Sequence, residues 1–443
     1  MGDFLTWDLF KFCLHVLGFF CALSALFQSR TPQGATAWFV GLLGFPLLAI
    51  PLYVAFGRKR FSDDNYADSQ KQNEFSVMET ESIPDDNRVT LLIDGHRIYS
   101  EMISDILKAE HYIILQVYIF RTDQTGKMFA RALQKKAAEG VKVFVLYEKV
   151  LISMSKKVIK NMIKNGVNVG DFKPFKRNKW HLNFRNHRKI LIIDGCLGYF
   201  GGLNIGDDYV GKYPRIGHWR DTNVKIEGSS LRIAQIAFEN DWHSSQGFPT
   251  GIDWRAHQGN GSARVLISAS GPVDEKPICL LQHLSLINLA QKRLWIANPY
   301  IVPPQSLMDA LMMAALRGVD VRILVPSKTD NIFVGAIDEI YYERLLEFGV
   351  RIFRYHAGFL HQKVMLIDDQ VGVVGSANLD FRSMYINFEV TTLTFDRSFV
   401  ESLEQMLRKD FICSEELVLD VIRKTSLLRK IYQRSMNLIA PIL

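Results

Sequence analysis

Hydrophobic residues open the chain in two long runs, 9–27 and 31–57, the second without a charged side chain. Each is close to the roughly 20 apolar residues that cross a bilayer as a helix, and the charge-free run is the stronger candidate. Asp8, Lys11, His15, Gly18 and Ala22 follow a three-four spacing along the first, and Gly34, Ala37, Gly41 and Gly44 do so along the second. Small residues so spaced let membrane helices approach closely, so the runs are expected to pack as a transmembrane hairpin, with His15 satisfied at the helix interface. A cleaved signal peptide fits poorly, because Asp3 and Asp8 stand where basic residues belong. Arg58, Lys59 and Arg60 close the second run against a single Arg30 in the turn. That asymmetry places both termini and everything beyond residue 57 in the cytoplasm.

From 61 to 87 the chain is polar and acidic with few apolar anchors, which predicts a linker. Beyond it, short apolar runs alternate with helical stretches: strand 89–93, helix 98–110, strand 112–120, helix 127–139, strand 141–147. Such alternation argues for an α/β domain with a mostly covered sheet. Much the same order returns with strand 294–300, helix 306–317 and strand 318–325. There Gly318-Val319 echoes Gly140-Val141, and later Gly349-Val350 echoes Gly166-Val167. A near-constant displacement makes this a duplicated domain rather than a solenoid. The expected units are 88–246 and 262–443, joined by the Pro/Gly-rich stretch 247–261.

Each half contains one phrase. His187-Arg188-Lys189, Asp194 and Gly201-Gly202-Leu203-Asn204 form the first copy; His361-Gln362-Lys363, Asp368 and Gly375-Ser376-Ala377-Asn378 form the second, with identical spacing from His to Asn. A single His two residues before a Lys is usually a surface pair, but two copies in register are hard to dismiss. Successive strand side chains point to opposite faces, so each His shares a face with its Lys, and a return strand brings the Asn back beside them. Two such patches face to face would place two His, two Lys and two Asn around one tetrahedral phosphodiester. One neutral imidazole can attack phosphorus while the other protonates the leaving alkoxide. The Lys and Asn donors would then neutralise the non-bridging oxygens. No carboxylate/His cluster has metal-ligand spacing, and this chemistry calls for neither metal nor cofactor.

Composition narrows the partners. Fifty-three Lys and Arg against 46 Asp and Glu favour anionic ones, with membrane headgroups and nucleic acid both open. Five scattered cysteines without CxxC spacing argue against a disulfide framework or zinc site and fit a reducing compartment. Residues 172–180, with Phe184 and Arg185, mix cations and aromatics, which suits a lipid interface or single-stranded nucleic acid as well as a solvated loop. Near the end, Leu417, Val421, Leu428, Ile431 and Leu438 form a rough helical stripe among Arg423, Lys424, Arg429, Lys430 and Arg434. Packing on the domain and docking on a membrane surface are both open to it.

The duplicated phrase resembles the HxKxxxxD signature of the phospholipase D superfamily with its trailing GGxN or GSxN. Through its hairpin, and through Ser268-Ala269-Ser270-Gly271-Pro272 and Asn378-Leu379-Asp380-Phe381-Arg382-Ser383, the chain resembles bacterial cardiolipin synthases along nearly its whole length. The stretch between the spans and the first domain is shorter than that pattern. The resemblance implies two phospholipase D-like α/β domains sharing one active site behind a two-helix membrane hairpin. It implies His187 as nucleophile forming a phosphatidyl-histidine, His361 as general acid then base, and Lys189, Lys363, Asn204 and Asn378 on the phosphate. Asp194 and Asp368 belong to the motif but rank lower, as structural residues, while Asp221 and Glu389 are the downstream carboxylates that would orient the histidines. The implied activity joins two phosphatidylglycerol molecules into cardiolipin and glycerol at the bacterial inner membrane, without nucleic acid, and homo-oligomerisation stays open. A hydrolytic phospholipase D or a phosphatidylserine synthase is the nearest alternative, and a nuclease or non-catalytic scaffold lies further off.

Overall fold

The computed structural model describes residues 2–29, 32–57, 83–148, 154–172, 183–212, 217–254, 258–329, 332–424 and 426–437. The basic triplet at 58–60, most of the expected linker, the basic-aromatic residues 173–180 and Leu438 lie outside them.

Two mixed sheets repeat one topology. The first runs Arg88–Ile93, Thr222–Glu227, Leu197–Gly201, Ile190–Ile193, Tyr112–Val117, Lys142–Glu148, Asn168–Phe172 across its width. The second runs Val265–Ser270, Glu389–Thr394, Val371–Gly375, Val364–Ile367, Arg293–Ala297, Asp320–Pro326, Arg351–Tyr355, and adds Ser414–Glu416 at the far edge. In each, the strand after the motif histidine pairs antiparallel with the first of three consecutive parallel strands. The expected duplication is therefore present strand for strand.

Both faces of these sheets are covered, so the strands are apolar at nearly every position. Ile113, Leu115, Leu191 and Ile193 pack under the first half's helices Gly95–Ile106 and Gln124–Ala138. Ile114, Ile190 and Ile192 point the other way, into a core shared with Val364, Leu366 and Val390 of the second sheet and with helices Leu231–Gln246 and Arg397–Ile412. One continuous core thus fuses the halves. The expected strand 112–120 stops at Val117. Beyond it the Ile119 N–H turns to the Asn204 side chain, and Phe120 bridges to Ile205.

The N-terminal expectation is met for one span among the described residues. Gly2–Gln28 is one helix, and its part Trp7–Gln28 is long and apolar enough to cross a membrane. The charge-free run, taken from sequence as the stronger span, is broken into Pro32–Gly44 and Pro46–Phe56. Pro46 has no N–H to continue a helix, and it drives Phe45 out of the helical region (φ −134°, ψ 57°). Both pieces lie against the first helix. A Cβ on Gly18 would come within 2.6 Å of the Leu42 carbonyl oxygen, and the Tyr53 hydroxyl donates to Ser24 Oγ at 3.1 Å. Gly18 and Ala22 of the small-residue stripe are at this contact, whereas Gly44 has nothing within 4 Å.

The C-terminal stripe also divides. Leu417 is buried in the second half's core, while Val421, Leu428 and Ile431 are exposed.

Candidate active site

The motif aspartates lie at the far ends of their strands. Asp194 turns the chain with φ +52° and accepts the backbone N–H groups of Glu110, His111 and Tyr112 at 2.7–2.8 Å. Asp368 (φ +48°) does the same for Gln291, Lys292 and Arg293 at 2.8–3.0 Å. Burial pushes the Asp368 carboxyl up, but those three donors outweigh it and hold it below the usual range. Each aspartate fastens the end of its motif strand to the start of the neighbouring antiparallel strand.

At the opposite ends the halves exchange partners. Asn186 forms a bridge with Phe388, and the His187 N–H donates to the Phe388 carbonyl at 2.9 Å. Symmetrically, Phe359 and Leu360 pair in parallel with Trp219 and Arg220, and the His361 N–H donates to the Arg220 carbonyl at 2.8 Å. Each imidazole therefore lies beside the residue after its bridge partner. His187 Nδ1 is 3.1 Å from both Glu389 oxygens, and His361 Nδ1 is 2.8 Å from Asp221 Oδ2. Both carboxylates expected to orient the histidines lie at an imidazole Nδ1, but each is beside the other half's histidine, and Asp221 is upstream of the residue it meets.

Both carboxylates are fully buried. Asp221 also accepts the Thr222 N–H at 2.9 Å and the Trp219 indole N–H at 3.3 Å. Glu389 accepts the hydroxyls of Ser376 and Ser383 and a longer contact from Asn387. The GG and GS variants of the motif match this difference. Where Ser376 donates to Glu389, a Cβ on Gly202 would fall 2.3 Å from Asp221 Oδ1. Behind them, buried Arg188 pairs with Asp241 at 2.8 Å, and Arg220 forks onto Asp410 at 3.0 and 2.8 Å. Sequence reasoning passed over Ser383, Asn387, Trp219, Arg220, Asp241 and Asp410. The one signal for the last two is that each is an acid in the closing turns of a long helix, Leu231–Gln246 for Asp241 and Arg397–Ile412 for Asp410.

The lysines follow the symmetry with one break in it. Lys189 Nζ and Lys363 Nζ each donate to their own histidine's carbonyl at 2.7 Å. Lys363 Nζ is also 3.0 Å from His361 Nε2. Among the described residues nothing hydrogen-bonds His187 Nε2, whose ring meets Tyr118 edge-on at 5.1 Å. Burial chiefly, helped by the Lys189 and Lys363 charges, lowers His187 to about 4 despite Glu389. Burial would raise Glu389, but His187, Lys189 and Ser376 outweigh it and hold it at about 2. At neutral pH this gives a carboxylate facing the Nδ1 of a neutral imidazole, with Nε2 free to act as a base or nucleophile. Burial also pushes the Lys189 ammonium well below its ordinary value.

The two asparagines differ. Asn204, expected on the phosphate, has Oδ1 taken by the Ile119 N–H at 3.0 Å and donates from Nδ2 to the Tyr209 hydroxyl at 3.1 Å. Buried Asn378 has no hydrogen-bond partner for Oδ1 among the described residues.

A duplicated α/β fold with paired, carboxylate-backed imidazoles at the seam between its halves defines the phospholipase D class of two-motif proteins. A family model described as cardiolipin synthase, PLD-like domain, matches residues 102–242 and 283–411. Cardiolipin synthase A of Pseudomonas putida strain GB-1 is 39% identical over 97% of this chain and 97% of its own length. Cardiolipin synthase A of Pseudomonas fluorescens strain Pf-5 is 36% identical, with the same coverage of both chains. This chain belongs to the cardiolipin synthase family of the phospholipase D superfamily. The fold is similar to phosphatidylserine synthase of Haemophilus influenzae Rd KW20, with TM-score 0.63 and 16% identity over 85% of this chain and all of that one.

Proposed function

We propose that the protein is a cardiolipin synthase that transfers a phosphatidyl group from one phosphatidylglycerol to the glycerol hydroxyl of another. The observation that carries the mechanism is the unequal pair of imidazoles. His187 is neutral, with Glu389 on Nδ1 and a free Nε2, whereas His361 Nε2 is 3.0 Å from Lys363 Nζ, so that His361 and Lys363 share a proton that the imidazole can pass on. His187 Nε2 attacks phosphorus, and the bond to the departing glycerol breaks as His361 delivers a proton to it. His361 then takes the proton of the second lipid's hydroxyl, whose oxygen displaces His187 and forms the second phosphodiester. Exchange between two like alcohols is nearly balanced, so the reaction is reversible. Lys189, Lys363 and Asn378 stabilise the non-bridging oxygens. Asn204 acts chiefly by tying the loop after Tyr112–Val117 to the segment that follows its own strand.

In the same reading, 88–246 and 262–443 are the two catalytic units. The first helix together with the broken apolar segment anchors them as a hairpin on the cytoplasmic face of the inner membrane. The full chain with phosphatidylglycerol in mixed micelles and chelator tests the activity. Cardiolipin with equimolar glycerol is expected, whereas phosphatidic acid as the main product overturns transfer in favour of hydrolysis.

A further inference from the structure

We propose that the C-terminal helix Leu427–Asn437, with the short helix Leu419–Arg423 before it, is a second and peripheral membrane contact that seats the catalytic mouth on an anionic lipid surface. This rests on the lipid reading above. The helix is bound to its domain by its polar side. Arg429 donates to both Glu339 oxygens at 2.9 Å, Gln433 donates to Glu339 at 2.6 Å, and Met436 packs against the small cluster of Val302 and Ile337. The apolar side is left outward. Leu428, Ile431 and Tyr432, at helical spacings of three and four, are 80%, 54% and 44% exposed, and Val418 and Val421 are exposed nearby. A helix that presents its polar face to the protein and its apolar face outward is the reverse of an ordinary surface helix.

Charge and position select the occupant. Arg423 is paired with Glu343 and Glu347, and Arg429 with Glu339, but Lys424 and Arg434 have no acidic partner among the described residues. Apolar side chains flanked by uncompensated cations fit an interface rich in acidic headgroups. Val302, on which Met436 packs, pairs with Asp380 in the short parallel ladder of Ile301–Val302 with Leu379–Asp380, directly after Asn378. The helix that carries the exposed stripe is therefore anchored, through Met436, on the short ladder that directly follows the second motif's asparagine.

The test uses the full chain in nanodiscs of phosphatidylcholine alone or mixed with phosphatidylserine, read by amide hydrogen exchange over 419–437. Exchange there is expected to slow roughly fivefold in the anionic discs. Leu428→Glu with Ile431→Glu should abolish that slowing. The same variant should raise the KM for phosphatidylglycerol in bilayers roughly tenfold with kcat kept, while turnover of soluble short-chain phosphatidylglycerol is unchanged. Equal exchange in the two discs overturns the proposal. So does slowing that appears in detergent and grows with protein concentration, which would mean a second copy covers the face. An equal loss on soluble substrate overturns it too, by making the stripe merely structural. Because the exchange arm needs no turnover, failure of the proposed activity would leave it readable.

Discussion

At the scale of single residues, the site is governed by how burial and one carboxylate set the state of an imidazole. The His187 value of about 4 lies below the ordinary 6.5, so the folded chain binds this proton less readily than the unfolded one. Its contribution to stability is present in full above pH 6.5 and is lost as pH falls through that value toward 4. Formation of the covalent intermediate, followed by rapid quench at varied pH, should accordingly lose rate with an apparent midpoint near 4 that belongs to the His187–Glu389 pair. Gly202→Ser puts atoms where Asp221 Oδ1 now lies. It should lower kcat about 10- to 100-fold through a displaced His361, and lower the thermal midpoint as well, because the carboxylate that must move is fully buried. Asp368→Ala acts differently, since it strands three backbone N–H groups. A stability loss of about 2–4 kcal/mol in denaturant titration is expected.

At the scale of elements, proline and glycine decide the N-terminal arrangement. Pro46 breaks a run whose hydropathy alone reads as one span, and Gly18 admits the Leu42 carbonyl of the broken segment. Gly18→Leu should therefore separate the first helix from 32–56. Faster amide exchange across 32–56 in detergent would show it, while the protein still sediments with membranes because Trp7–Gln28 is unaltered in length. The basic-aromatic segment before the first motif changes meaning at this scale as well. Its flanks Phe172 and Phe184 are core residues, and Arg185 pairs with Glu148, so neither phenylalanine is available to a lipid or a base.

At the scale of the whole molecule, function belongs to the seam, because neither half contains a complete histidine and carboxylate pair. A phosphatidyl ester of p-nitrophenol, whose leaving group needs no proton, separates the two pairs. Its release burst should survive Asp221→Asn, but fall about 10²- to 10⁴-fold in Glu389→Gln, where the nucleophile's partner is gone. Pairing within each half would give the opposite result. The chain by itself determined the duplication, the strand periodicity and both motifs, because these are local patterns repeated at fixed spacing. Asp221 and Glu389, 34 and 28 residues after their motif histidines, follow no common spacing and are candidates by family resemblance alone. Only the tertiary structure decided that Glu389 serves His187 and Asp221 serves His361, that Tyr209 and Ile119 occupy Asn204, and that the C-terminal helix turns its apolar side outward. Those outcomes depend on which backbone edges pair across the shared core, and contacts between residues some 140 to 200 positions apart leave no periodic trace in sequence.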